Sequence, residues 1–289
     1  MNTIAYEVDG RIARITLDRP ERGNGITLEM PRELAACVEQ ANLDPAVHVI
    51  ALAGNGRGFC GGYDMVESAE GVTSDGEPGS PIDPATIARN HDPSGTWDPV
   101  VDWQMMSRNL RGFMSLFHSD KPVVCKVHGF CVAGGTDMAL CSDLIVIADD
   151  ARIGYPPARV WGVPTSALWA SRIGEQRAKR LLFTGDLIDG RTALDWGLAI
   201  EAPPAAELDE RFEELLARIA LTPVNQLVMM KLLVNQALYA QGLHATQSLG
   251  VLFDGIARHT EEGYAFQRRA AEAGWREAVR ERDEPYGFR

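Results

Sequence analysis

Gly54-Asn-Gly-Arg-Gly-Phe-Cys-Gly-Gly-Tyr-Asp-Met65 decides the reading of this chain, and Gly129-Phe-Cys-Val-Ala-Gly-Gly-Thr-Asp-Met138 echoes it. Each run follows a β-like segment, Val47 to Ala53 and then Pro122 to Val127. Each supplies backbone poor in side chains, where amide N–H groups can converge on a small anion. Two such amides make an oxyanion hole.

Outward from these runs the pattern is that of an α/β protein. Ile4 to Leu17 alternates apolar and polar residues around Asp9-Gly10, a hairpin turn signal. Thr27 is the N-cap of a helix carrying Met30, Leu34, Val38 and Ala41 at helical spacing. A helix over Val100 to His118, a strand over Pro122 to Val127, a short helix over Gly134 to Leu140 and a strand over Asp143 to Ala148 follow. This alternation signals parallel crossovers. Residues 66–99 between the first run and these elements show no period and read as a long loop, either a surface insertion or a lid. From about Glu207 the pattern is helical. Thr222-Pro223 opens a helix whose stripe Leu227, Met230, Val234 and Leu238 faces the core, while Val228, Met229, Leu232 and Leu233 suit a second partner, a subunit or the same chain. The expected organisation is a core over residues 1–205, with the insertion at about 66–99, and a helical oligomerisation region over 206–289.

Composition narrows the function. A formal net charge of -12 over 289 residues excludes a general nucleic-acid surface. Residues 1–20 carry several charges where a signal core would be apolar, and no stretch approaches membrane-spanning length, so a cytoplasmic protein is expected. Five cysteines without C-x-x-C spacing indicate neither a disulfide framework nor a metal site. Cys131 and His128 invite a thiol-nucleophile reading, but an inert buried thiol is the commoner case. Gly56-Arg-Gly-Phe-Cys-Gly61 satisfies G-x-G-x-x-G, yet no second strand follows about twenty residues on, so a dinucleotide site lacks its context.

The two runs resemble the paired signatures of the crotonase (enoyl-CoA hydratase/isomerase) family, roughly G-x-G-x-x-F-[CS]-[AG]-G-x-D-[LM] and G-x-x-x-G-G-G-x-x-[LM]. Leu17-Asp-Arg-Pro-Glu-Arg-Gly-Asn24, Leu182-Phe-Thr-Gly-Asp186 and Ala193-Leu-Asp-Trp-Gly-Leu198 extend the resemblance over most of residues 1 to 200. It implies an α/β spiral of repeated ββα units, C-terminal helices that assemble trimers or hexamers, and an acyl-CoA substrate of the kind met in fatty acid metabolism. Coenzyme A then belongs to the substrate and no separate cofactor is expected.

Residue by residue, the resemblance implies oxyanion donors at the Tyr63 and Gly134 amides, with Asp64 structural. It puts the hydratase's first acid/base carboxylate at Asp137, for which a helix cap is the rival role. The family's second glutamate falls at Pro157 within Ile153-Gly-Tyr-Pro-Pro-Ala158, and proline transfers no proton. Asp92, His91, Asp98 and Asp102 are candidates to replace it, and Tyr155 and Arg159 flank the vacant position. Coenzyme A contacts are implied at Arg22, Asn24, Gly25, Gly62 and Met65, with Arg268 and Arg269 as further basic residues near the ligand. Hydration of a 2-enoyl-CoA leads. An enoyl-CoA isomerase using one carboxylate, an acyl-CoA decarboxylase and a non-catalytic CoA-thioester binding protein are the alternatives.

Overall fold

The computed structural model describes residues 2–65 and 83–287; the remainder of the expected loop, 66–82, lies outside the described residues. Strands β1 (Ile4–Asp9) and β2 (Ile12–Leu17) form an antiparallel hairpin. Asp9 pairs with Ile12, so the turn is Gly10-Arg11, and Gly10 takes the left-handed φ of +57° that such a turn needs. Strand β3 (Val49–Gly54) adds to β2 in parallel, β4 (Val123–Val127) adds to β3, and β6 (Leu144–Ile147) adds to β4. The five-stranded sheet therefore runs β1-β2-β3-β4-β6. A smaller sheet of β5 (Phe130–Val132), β7 (Arg152–Gly154) and β8 (Leu187–Asp189) stands beside it.

Helices make the crossovers. Helix α1 (Met30–Leu43) buries Met30, Leu34, Val38 and Ala41, as its spacing requires, and the Thr27 hydroxyl accepts the Met30 amide at 3.2 Å. The stretch read as a continuous loop contains α2 (Pro84–Asn90), capped by Asp83. Its seven residues are too few to show a helical period in the sequence. Helix α3 (Pro99–His118) is capped by Asp98, and α4 (Gly134–Leu140) starts on the second glycine run. The chain continues through α5 (Trp169–Ile173), α6 (Glu175–Thr184) and α7 (Gly190–Trp196). A helical C-terminal region follows: α8 (Leu208–Ala220), α9 (Val224–Ala240), α10 (Leu243–Arg258), α11 (Glu261–Ala273) and α12 (Trp275–Asp283).

Helix α9 departs from expectation. Pro223 occupies its N-cap position, and its inward face carries Lys231 and Asn235 rather than the apolar stripe. The Lys231 ammonium donates to the Leu116 and Lys121 carbonyls at 2.9 and 3.1 Å and pairs with Asp143 at 2.8 Å; Asn235 donates to the Phe117 carbonyl at 3.0 Å. These donors satisfy carbonyls left open at the C-terminus of α3, where a cation also meets the negative end of the helix dipole. Met230, Leu232, Leu233 and Val234 are left exposed, Leu233 at 70%.

Candidate active site

The two glycine runs lie side by side. Phe59 donates its amide to the Phe130 carbonyl at 2.9 Å and Val132 to the Cys60 carbonyl at 3.0 Å, with Cys60 bridged in parallel to Cys131. Three residues further along each run Tyr63 and Gly134 lie close together: a Cβ on Gly134 would fall 2.8 Å from the Tyr63 ring. The first turn is clamped by Gly61 N–H to Gly23 O, Ile26 N–H to Gly62 O and Asp64 N–H to Ile26 O, at 2.8 to 2.9 Å. Between these bonds, the Tyr63 amide has no acceptor among the described residues. Gly134 is the first residue of α4, where amides have no acceptor within the helix.

Close packing explains the glycines. Gly62 has φ +95°, and a Cβ there would lie 2.7 Å from the Ala133 Cβ and 3.6 Å from the Gly134 nitrogen. On Gly134 a Cβ would meet the Tyr63 ring at 2.8 Å. Ala133 between them holds φ +54°, a left-handed value that is costly for a residue with a Cβ. Tyr63 and Gly134 both line a cavity of about 530 Å³, together with Met65, His91, Tyr155 and Pro157. Met65 packs with Trp161, Trp275 and Phe266 in a small second core formed with α11 and α12, which brings these helices over the cavity.

The remaining sequence-derived residues divide. Arg22 pairs with Asp64 at 2.8 Å and Arg19 pairs with the same carboxylate at 3.0 Å, so Asp64 is structural and Arg22 has a protein partner. Asn24 is fully buried at φ +55°. Its Nδ2 donates to Asn55, Gly58 and Phe59 carbonyls at 2.8, 3.1 and 2.9 Å, and its Oδ1 accepts the Arg19 amide at 2.9 Å. A Cβ on Gly25 would come within 3.3 Å of Asp64, and its carbonyl accepts from Arg19 at 2.7 Å. Neither Asn24 nor Gly25 lines the cavity. Arg159, expected to orient a substrate, is turned away onto Asp283 at 2.9 Å and the Thr184 carbonyl at 2.9 Å. Arg269 forms a two-pronged pair with Glu281 at 2.7 and 2.8 Å.

Asp137 sits on α4 but is 1% exposed and is not among the cavity-lining residues. Burial pushes its carboxyl up to about 7, against the hydrogen bond it accepts from the Ser166 amide at 2.9 Å. Cys131 is buried with its thiol pushed well above the ordinary value by the same cause, and His128 contacts the Gly56 carbonyl instead of the sulfur. Of the four candidates around the insertion, Asp92 and Asp98 are turn and helix caps, accepting the Ser94 and Val100 amides. His91 and Asp102 are buried together. The sequence reading missed Asp254 and Arg258, which line the cavity from α10 as an i,i+4 pair at 2.8 Å. That spacing was a legible signal.

A parallel sheet with helical crossovers, paired glycine turns at strand ends and helices closing the cavity define the crotonase fold. The chain matches the enoyl-CoA hydratase/isomerase family over residues 7–84 and 102–268, and it belongs to that family. It is 33% identical over 261 residues to the putative enoyl-CoA hydratase EchA13 of Mycobacterium tuberculosis, covering 84% of this chain and 76% of that protein. To the 1,2-epoxyphenylacetyl-CoA isomerase of Escherichia coli it is 27% identical over 242 residues, covering 82% and 83%. The crystal structure of an enoyl-CoA hydratase from Mycobacterium smegmatis superposes with a TM-score of 0.94 at 57% identity, over 99% of this chain and 95% of that one.

Proposed function

We propose that this protein is an acyl-CoA enzyme that holds a thioester enolate between the Tyr63 and Gly134 amides, and that it hydrates a 2-enoyl-CoA. The observation that supports this reading is that Tyr63 and Gly134 line one cavity close together, the Tyr63 amide having no acceptor among the described residues and the Gly134 amide none within its helix. Negative charge that develops on a thioester oxygen during proton loss or β-addition is stabilised by such donors, each worth about 2.7 to 4 kcal/mol of barrier. Its similarity to enoyl-CoA hydratases supports hydration. Coenzyme A would run past Gly62 and Met65.

Asp137, three residues after Gly134 and with its carboxyl raised by burial, is the acid/base group of this reading, acting from behind the wall of a cavity it does not itself line. Pro157 on the cavity wall favours one further reading, an isomerase in which a single group moves a proton from C2 to C4. The exposed apolar face of α9 supports assembly into homotrimers or hexamers.

Three substrates separate the possibilities: crotonyl-CoA, a 3-enoyl-CoA and a malonyl-type CoA, each tested with wild type and Asp137→Asn. Loss of crotonyl-CoA hydration by at least about a hundredfold in the variant is the expected result. Turnover of the 3-enoyl or malonyl compound alone would replace hydration by isomerisation or decarboxylation. Tight coenzyme A binding without any turnover would make the chain a binding protein.

A further inference from the structure

Asp102, in the first turn of α3, is 2% exposed and accepts four hydrogen bonds. They come from Asn90 Nδ2 at 2.9 Å, His91 Nε2 at 3.1 Å, Trp97 Nε1 at 2.7 Å and His259 Nε2 at 2.9 Å. Burial alone would raise this carboxyl, but the bonds from His259 and His91, the Arg258 charge and Trp97 hold it well below the ordinary range. Asp102 is therefore an ionised acceptor, and each histidine must present Nε2–H to it. Burial keeps His91 neutral by lowering its value, partly offset by Asp102, so its Nδ1 carries a lone pair.

That Nδ1 is buried and has no hydrogen-bond partner among the described residues. Buried polar atoms seldom go unpaired, and those that do are often explained by an absent water or a catalytic role. His91 lines the same cavity as Tyr63, Gly134 and Pro157. The donor atoms of His91, Asp102 and His259 also lie within 4.8 Å of one another, a spacing open to a metal ion. Against a metal, Oδ2 of Asp102 already takes Asn90, Trp97 and His259, and an indole N–H cannot ligate. A hydrogen-bonded relay accounts for every contact.

Resting on the enolate reading above, we infer that His91 is the second proton carrier of the reaction, accepting the proton of the attacking water in place of the carboxylate missing at Pro157. The water proton passes to Nδ1 while the water oxygen bonds to C3. The electron pair of the C2–C3 double bond moves into the enolate held by the two amides, and C2 takes a proton passed on from the Asp137 carboxyl behind the cavity wall. His91 then releases its proton to solvent and Asp137 regains one, so the sum is one added water. Asp102 and His259 are positioning residues: the first fixes the His91 tautomer, and the second is locked by Trp97 stacked at 4.6 Å and by the Tyr264 hydroxyl at 2.8 Å. The family match covers residues 7–84 and 102–268, and His91 stands in the interval between them.

The charged or titratable groups acting on His91 among the described residues are Asp102 from α3, Arg258 from α10 and His259 beyond it. Crotonyl-CoA hydration by wild type should fall as the pH drops through a value below the ordinary histidine range of about 6.5. His91→Gln should hydrate about a hundredfold more slowly and lose that acid limb, while melting within a few degrees of wild type. A fall of less than about tenfold, or a limb that persists in the variant, overturns the proposal. Should the variant fail to fold, a wild-type rate with no acid limb at any pH below about 6.5 at which the protein stays folded overturns it equally. Exchange of the C2 protons of butyryl-CoA in deuterium oxide by wild type tests the amide pair separately, so failure of the enolate reading is seen there.

Discussion

The Arg22 guanidinium lies 2.8 Å from the carboxylate of Asp64, whose side chain is 3% exposed and which Arg19 approaches from the other side at 3.0 Å. One buried carboxylate thus ties the loop after β2 to the turn that presents the Tyr63 amide. Asp64→Asn would leave two cations around an uncharged group, a change that costs about 3 to 5 kcal/mol when a buried pair is broken. Urea unfolding should show that loss.

Asn24 gives a contrasting test of a residue once expected to touch coenzyme A. Because its amide nitrogen serves three carbonyls, Asn24→Ala should lower stability by about 3 kcal/mol through unpaired buried acceptors. Coenzyme A affinity of the folded variant, measured by calorimetry, should change by less than about threefold, a shift under about 0.7 kcal/mol.

Gly134→Ala pushes a methyl group toward the Tyr63 ring, 2.8 Å from the Cβ position. Either Tyr63 moves or α4 does, which would separate the two amides proposed to address one oxygen. Turnover should fall about 10²- to 10³-fold, the usual effect of losing one such donor. Steady-state kinetics at saturating substrate would read it.

Asp137 imposes a pH dependence of definite sign. Its folded value of about 7 lies above the ordinary carboxyl value, so the folded state holds the proton more tightly than the unfolded chain. The associated stability is fully present below about pH 4 and is lost as the pH rises through about 7. Relative to Asp137→Asn, wild type should weaken between pH 5 and 8 by at most roughly 3 kcal/mol. Denaturant titrations of both proteins at the two pH values would show it.

Leu233, on the apolar face of α9, should belong to a subunit contact. Leu233→Asp buries a charge without a partner in any such contact, and sedimentation should show monomers where wild type sediments as trimers or hexamers.

Much of this was legible in the sequence because backbone needs dictate residue type. Glycines at 62 and 134 mark close approach, and the spacing of Met30, Leu34, Val38 and Ala41 marks a buried helix face. What stayed hidden depends on distant partners. Lys231 and Asn235 look like solvent residues on an apolar helix until the open carbonyls of α3 are placed beneath them. Asn24 and Arg22 match a binding motif by position, yet their partners lie 31 to 42 residues away. His91, Asp102 and His259 carry no common spacing, since 157 residues separate the last two.

Helix α3 is held at both ends by the last third of the chain. His259 reaches its first turn, and Lys231 with Asn235 closes its last. A protein shortened to the first 205 residues would therefore lose more than an association surface: it would have a frayed strut through its middle and a cavity open where Asp254, Arg258 and Phe266 now stand. The terminal helices are masonry of the chamber itself, and swapping them between relatives should reshape the room as well as the partnership.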